Sequence, residues 1–365
     1  MKVNFVDLQR QTKILYPGLL KAITGVLERA DFIQGKAVEA FEQAFAQFCG
    51  KKYCVALNSG TDALEFALRA YGITDGEVIT APNSYFSSAM VISKVGATPV
   101  FADVDEKSFN LDATKLAKAI TKKTRAIIPV HLCGQSADLD PIYALAKQHH
   151  LVVIEDACQS HGAGYKGKRV PVGETGAFSF YPGKNLGCFG DGGALVTDNE
   201  QIAQQVRLLR NDGSRIKYHH EIIGSKSRLD TIQAVVLQEK LPHLAEWNEQ
   251  RRKAAQQYTS LLKDVVTTPT EMPYAKHVYH LYMIQVDDRD GLQTYLADKG
   301  ISTVIHYPIP IHLQPVYASL GHKEGSFPVT ERLAKRILSL PMFPEITEEE
   351  IRYVADAVKA FVQKP

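Results

Sequence analysis

A lysine set between glycines, Gly183-Lys184-Asn185-Leu186-Gly187, follows the aromatic run Phe178-Ser179-Phe180-Tyr181-Pro182. Apolar walls disfavour an ammonium, so a lysine in such a setting can hold a nucleophilic amine near neutral pH. On its own the run also reads as a surface turn with a solvated lysine. A second stretch, Ile154-Glu155-Asp156-Ala157-Cys158-Gln159-Ser160-His161-Gly162, ends a separate apolar strand pattern upstream. An acid at one strand end and a lysine at another is the pair that a pyridoxal phosphate enzyme needs. The carboxylate keeps the pyridinium nitrogen protonated and the amine forms the Schiff base.

A third stretch supplies a candidate phosphate cradle. Tyr53-Cys54-Val55-Ala56-Leu57 has a strand pattern and runs into Asn58-Ser59-Gly60-Thr61-Asp62, after which positions 63–71 read as a helix with Gly72 behind it. A strand, a small-residue turn and a helix N-terminus leave free N–H groups above the strand end, where an anion binds. Ser-Gly-Thr is equally a sound helix cap with no ligand at all.

These residues need a scaffold that gathers strand ends. Val38, Phe41, Phe45 and Phe48 recur at helical spacing and Gly50 closes that helix. Strand patterns follow at 78–80, 99–101, 126–130 and 151–154, separated by helical patterns at 87–95, 113–120 (capped by Asp112) and 141–149. Continuous apolar strands alternating with helices predict a mainly parallel sheet with helices on both faces, an α/β fold. Ligands in such sheets bind at the carboxyl ends of strands, where Asp156, Lys184 and the 59–61 turn all fall. After a strand at 193–197 and a helix to about 209 come a polar, irregular segment at 211–227 and two long helical patterns, 228–241 and 243–262, split at Pro242. A strand at 281–286 and helices at 292–299 and 348–362 complete a smaller C-terminal α+β domain. The expected division is 1–245, with an N-terminal arm opened by Phe5-Val6-Asp7-Leu8, and 246–365.

Composition narrows the function. At 365 residues the chain exceeds the roughly 250–300 at which single cores stop growing, so two domains are expected. A net charge of +2 gives no electrostatic case for nucleic acid. No apolar run reaches the roughly 18 residues of a membrane span, and the opening MKVNFVDLQRQ has no signal-peptide core, so a cytoplasmic protein without membrane contact is expected. Five cysteines without a C-x-x-C pair argue for reduced thiols, and the twelve histidines show no metal-ligand spacing, so no metal is expected.

Two motif matches fail on context. Gly162-Ala163-Gly164-Tyr165-Lys166-Gly167 fits G-x-G-x-x-G, but Val170-Pro171-Val172-Gly173 follows where a dinucleotide fold requires a helix. Gly183-Lys184 resembles a P-loop end, yet Phe178 stands where that loop starts with glycine and Asn185 replaces the magnesium-binding hydroxyl.

Taken together, these motifs resemble the DegT/DnrJ/EryC1/StrS group of nucleotide-sugar aminotransferases, within the aspartate-aminotransferase-like (type I) fold of pyridoxal phosphate enzymes. The likeness spans nearly the whole chain and includes Asn58-Ser59-Gly60-Thr61-Asp62-Ala63-Leu64, Pro129-Val130-His131-Leu132 and Ser339-Leu340-Pro341-Met342. It implies that Lys184 holds the cofactor and, once released, moves a proton between donor carbon and cofactor. It implies further that Asp156 pairs with the ring nitrogen, that Tyr85 stacks on the ring, and that Gln159 lies near the phenolic oxygen. Gly60, Thr61 and Ser179 then bind the phosphate. His161 is expected at cofactor or substrate, with a structural histidine as the plain alternative.

The family commonly has asparagine in a G-x-N-x-R segment reaching the neighbouring subunit's phosphate; here the segment is Gly224-Ser225-Lys226-Ser227-Arg228. A homodimer sharing its active site, with Lys226 crossing the interface as a point charge, is therefore expected. Arg228 is expected in an ion pair at the helix start.

Dehydrating members of the family carry histidine in place of the lysine, so Lys184 implies transamination: L-glutamate gives its amino group to the cofactor, which aminates a nucleotide-linked keto-sugar. His131-Leu132-Cys133-Gly134-Gln135 and Tyr307-Pro308-Ile309-Pro310-Ile311-His312-Leu313 most resemble the branch acting at carbon 3 of dTDP-3-keto-6-deoxyhexoses. Tyr307 and His312 are hence the expected substrate contacts. Amination at carbon 4, or of a UDP-linked 3-keto sugar, uses the same core. A hydride-transfer enzyme lacks its helix after the glycines. A non-catalytic cofactor-binding regulator needs a DNA-reading domain, for which the motifs starting within the first 60 residues leave no room.

Overall fold

The computed structural model describes residues 1–363. Seven strands form the main sheet: β1 (Tyr53–Leu57), β2 (Glu77–Thr80), β3 (Thr98–Phe101), β4 (Thr124–Ile128), β5 (Val152–Asp156), β6 (Thr175–Ser179) and β7 (Gly193–Thr197). Their spatial order is β1-β7-β6-β5-β4-β2-β3. Pairings among β6, β5, β4, β2 and β3 are parallel, while β7 runs antiparallel to both its neighbours. The carboxyl ends of β1, β2, β4, β5 and β6 therefore share one edge, as the α/β pattern requires.

Helices cover both faces. In chain order they are α1 (Leu8–Arg29), α2 (Lys36–Cys49), α3 (Gly60–Ala70), α4 (Ser87–Lys94), α5 (Ala113–Ala119), α6 (Leu139–His149) and α7 (Glu200–Leu209). Asp112 caps α5 by accepting from the Thr114 N–H at 2.8 Å. Helix α2 explains how the lysine loop is held. Its Phe45 meets Phe178 and Phe180 edge-on at 5.0 and 5.1 Å, and all three rings are fully buried. Truncating such a ring costs about 3–5 kcal/mol. The strand end carrying Ser179 is thus fixed from behind by hydrocarbon.

The helical pattern around Pro242 resolves as α8 (Thr231–Lys240), a 3-10 turn at Leu241–His243 and α9 (Leu244–Leu262). Beyond it lie β8 (Tyr282–Gln285), α10 (Arg289–Asp298), α11 (Pro328–Arg336), β9 (Ile337–Leu340) and α12 (Glu348–Val362), with β8 and β9 antiparallel. The position expected to divide the domains falls near the start of α9. Leu244 joins the core of the main sheet, whereas Ala254, Ala255, Tyr258 and Leu262 join a second core with β8, β9 and α12. Val3 also belongs to that second core, bridging to Ile301, so the first residues pack with the C-terminal part rather than with the sheet that follows them.

The segment expected to be irregular at 211–227 holds a short hairpin, Ser214–Ile216 with His219–His220. Helix α3 begins at Gly60, three residues earlier than its apolar pattern, because Ser59 caps it with a hydroxyl that accepts from the Asp62 N–H at 3.0 Å.

Candidate active site

The shared strand edge opens on a cavity of about 680 Å³. Its walls carry Gly60 and Thr61 after β1, Tyr85 after β2, Asp156 and Gln159 after β5, and Ser179 and Lys184 after β6; Tyr307 comes from the C-terminal part. Eight of the residues singled out from sequence are brought together here.

Lys184 sits on a turn whose own N–H donates to the Tyr181 carbonyl at 2.9 Å. Burial lowers its affinity for a proton, a change that Cys158, Asp156 and Cys133 oppose in that order. Across the cavity wall, Asp156 Oδ2 accepts from the Ser88 hydroxyl at 2.8 Å and Oδ1 from the Cys158 N–H at 3.2 Å. Ser84 lies 2.9 Å behind Ser88, so a line of hydroxyls from the start of α4 aims the carboxylate. Ser88 carried no signal in sequence, where a serine in a helix pattern is ordinary.

The turn before α3 is closely built. A Cβ on Gly60 would stand 2.6 Å from Cys158 Sγ and 2.9 Å from Ser179 Cβ, so only glycine fits. Thr61 Oγ1 lies 2.9 Å from Ser87 Oγ. Gln159 is fixed at both ends of its amide: Oε1 accepts from the Cys133 N–H at 2.7 Å and Nε2 donates to the Tyr307 hydroxyl at 3.2 Å. Tyr85 and Tyr307 face each other with ring centroids 5.8 Å apart, and Tyr85 is 58% exposed, so its ring lies open at the cavity mouth. His280, His306 and Asp191 also line the cavity and were not singled out from sequence.

Three expected site residues lie elsewhere. His312 is buried, with Nε2 3.0 Å from Glu331 and its ring packed among Phe101, His322 and Phe327, and it does not line the cavity. The proline-rich turn folds it into a small core of its own instead of presenting it to the cavity. His161 is fully buried against Phe178 and Phe180, and neither ring nitrogen has a hydrogen-bond partner. Burial first, then Lys184, outweigh the Ser179 backbone and push its protonation down to about 3. Lys226 is exposed and lies away from this chain's cavity, with its backbone bridged to Asn211. Arg228 donates to Asn211 Oδ1 at 3.4 Å rather than to an acid.

All five cysteines are free. No helix among the described residues is long and apolar enough to cross a membrane.

An amine open to the cavity, a carboxylate with unused acceptor capacity and a turn of N–H groups with room only for glycine fit pyridoxal phosphate: amine to carbonyl, carboxylate to ring nitrogen, turn to phosphate.

Residues 17–359 match the model of the DegT/DnrJ/EryC1/StrS aminotransferase family. The chain is 46% identical to a pleiotropic regulatory protein of Geobacillus stearothermophilus, over 99% of both chains. It is 44% identical to dTDP-3-amino-3,4,6-trideoxy-alpha-D-glucose transaminase of Streptomyces venezuelae, over 100% of this chain and 97% of the relative. The crystal structure of S. venezuelae DesV, solved in complex with a ketimine intermediate, superposes with a TM-score of 0.98 at 43% identity, covering 100% of this chain and 99% of that one.

Proposed function

The chain belongs to the DegT/DnrJ/EryC1/StrS aminotransferase family, and from that premise we propose that it moves an amino group from L-glutamate to carbon 3 of a dTDP-linked 3-keto-6-deoxyhexose. It is a pyridoxal phosphate-dependent sugar aminotransferase. The observation that carries the finer reading is the open amine of Lys184 in one cavity with Asp156, in a chain so similar to a transaminase of a dTDP-linked 3-amino sugar.

When bound, pyridoxal phosphate supplies a carbonyl that condenses with amines and a ring that draws electrons from the carbon being deprotonated. This chain's residues do the rest. Lys184 holds the group through its Nζ and, when freed, carries the proton to and from the reacting carbon. Its lowered proton affinity leaves more of it as free base at neutral pH. Asp156, aimed by Ser88 and the Cys158 N–H, keeps a proton on the ring nitrogen. Gly60, Thr61 and Ser179 hold the phosphate at the start of α3. Tyr85 covers the ring, Gln159 holds the phenolic oxygen, and Tyr307 meets the sugar.

The same reading includes a homodimer that works in the cytoplasm. Ile14, Tyr16, Leu20 and Leu27 lie exposed along α1, and the exposed rings of Tyr85 and Tyr181 flank the cavity mouth. A second copy covering this face buries apolar surface and brings its Lys226 toward the phosphate.

A regulatory reading draws on the likeness to the pleiotropic regulatory protein of Geobacillus stearothermophilus. One experiment separates the two. The holoprotein is mixed with L-glutamate and its visible absorbance followed; the aminated form is then given dTDP- and UDP-linked 3- and 4-keto sugars, and the aminated carbon is located by NMR. Bleaching followed by carbon-3 amination of the dTDP sugar supports the proposal. Turnover confined to a UDP sugar or to carbon 4 replaces the substrate, and no turnover at all leaves the regulator.

A further inference from the structure

Beside Lys184 in the chain, Asn185 is buried and its amide orientation is fully determined. Nδ2 donates both hydrogens, to Asn248 Oδ1 at 2.8 Å and to the Val278 carbonyl at 3.1 Å. Asn248 is itself fixed by donating to the His161 carbonyl at 2.8 Å. Oδ1 of Asn185 is therefore an acceptor, and its partner is His280 Nδ1 at 3.2 Å. An acceptor on Asn185 requires the hydrogen on Nδ1. The neutral ring then carries a bare lone pair on Nε2.

The ring's one hydrogen bond among the described residues is that of Nδ1 to Asn185, and His280 lines the cavity that holds Lys184. Burial, then Lys184, Arg251, His306 and His161, hold its protonation well below the ordinary histidine range, so the ring stays neutral where the enzyme works. A fixed, uncharged acceptor on a residue lining a ligand-sized cavity is a recognition element.

We infer that His280 is a substrate contact whose Nε2 accepts a hydrogen bond from an N–H or O–H of the bound substrate, with its tautomer set by Asn185. The inference rests on the aminotransferase reading for the identity of that substrate: the ammonium of the amino donor or a hydroxyl of the sugar. It excludes a role for His280 in binding a carboxylate, which needs the hydrogen on Nε2 instead. The network gives Asn185 two tasks, anchoring the lysine turn and aiming the histidine.

Two substitutions separate the ring's two nitrogens. His280→Asn places an amide N–H where Nδ1 stood and deletes the acceptor; His280→Gln places an amide where Nε2 stood and loses the link to Asn185. Steady-state kinetics with both substrates are expected to show a roughly 2- to 12-fold rise in one KM for His280→Asn, the size of one neutral hydrogen bond. His280→Gln keeps that KM within about 3-fold of the parent, since one such bond is retained. A rise in the glutamate KM identifies the ammonium as the occupant, and a rise in the keto-sugar KM the hydroxyl. If His280→Asn leaves both KM values unchanged, or His280→Gln alone is impaired, the histidine is structural and the inference fails.

Nitrogen-15 NMR of histidine-labelled, cofactor-free protein decides the tautomer without any turnover, so it stands even if the proposed activity does not. The expected signal has hydrogen on Nδ1 only at neutral pH. Hydrogen on Nε2, or a doubly protonated ring after L-glutamate is added, overturns the assignment.

Discussion

Glu155 and Asp156 are neighbours at the end of one strand, and alternation sends them to opposite faces of the sheet. Behind the sheet, Glu155 accepts from Tyr143 Oη at 2.7 Å, from the Val172 and Gly173 N–H groups at 3.0 and 2.6 Å, and from His131 Nε2 at 2.8 Å. His131 in turn accepts the Ala137 N–H on Nδ1 at 3.1 Å, which places its hydrogen on Nε2. A carboxylate has about four acceptor sites, so Glu155 is saturated. On the cavity side Asp156 takes only two donors and keeps capacity for a ligand. The same contrast separates His131, bonded at both nitrogens, from His280, bonded at one. Closed networks hold the scaffold, whereas Asp156 and His280 keep free valence on residues that line the cavity.

Lysine 184 tests the open side most severely. Lys184→Ala is expected to lower single-turnover amination by at least roughly 10³-fold while circular dichroism stays unchanged, because the only amine on this wall is lost and no packed side chain is. The cofactor-free variant is expected to match or exceed the parent in thermal stability. The folded-state proton affinity of Lys184 lies below its ordinary 10.5, so the unfolded chain binds that proton more tightly. The amine therefore destabilises the fold at neutral pH, and the penalty shrinks as pH rises toward 10.5. A large loss of stability in the variant would make Lys184 part of the scaffold instead. Asp156→Asn, which keeps the shape and removes the charge, is expected to cost about 10²- to 10³-fold in rate and little in stability.

The closed side predicts the reverse. Glu155→Gln puts a donor where Val172, Gly173, Tyr143 and His131 all donate, so it is expected to cost about 1–3 kcal/mol in denaturant unfolding. Activity per folded molecule should change far less than in Asp156→Asn. Burial alone raises the proton affinity of Glu155, but His131, Tyr143 and the Gly173 N–H together hold it below the ordinary 4.5. Its contribution to stability is thus complete above about pH 4.5 and is lost as pH falls toward the depressed value. Urea midpoints measured downward from that pH should fall less steeply in Glu155→Gln than in the parent.

Much of the open side was legible because its signals are local: a glycine-flanked lysine, an acid ending an apolar strand, a small-residue turn before a helix. The closed side was less so, since Glu155 and His131 are named by motifs whose partners sit on separate elements. Helix α1 was read only as an arm. It contains Pro17, and its Ile14, Leu20 and Leu27 face outward, so its pattern does not point to this chain's own core. Helix α11 and strand β9 were missed because each is short and meets without a loop, at Arg336 and Ile337. His312 was misjudged for a related reason: a proline-rich turn states that the chain bends, and only tertiary packing states which way.

The finest test concerns Ser88, which lies on the border between the two kinds of environment. Its hydroxyl is buried like a scaffold group, yet it donates to Asp156, a carboxylate that lines the cavity, across 68 positions of sequence. If the hydroxyl merely fills space, Ser88→Ala changes neither rate nor spectrum, and Ser84 is left to rebond. If it aims Asp156, the variant loses roughly 3- to 10-fold in rate, the worth of one hydrogen bond partly replaced by cavity water. The double variant with Asp156→Asn discriminates further. A positioning hydroxyl has nothing charged left to orient in that background, so adding Ser88→Ala should cost less than about 2-fold more, and the two losses fail to add. Full additivity places Ser88 with the scaffold and moves the border of the open side to Asp156 itself.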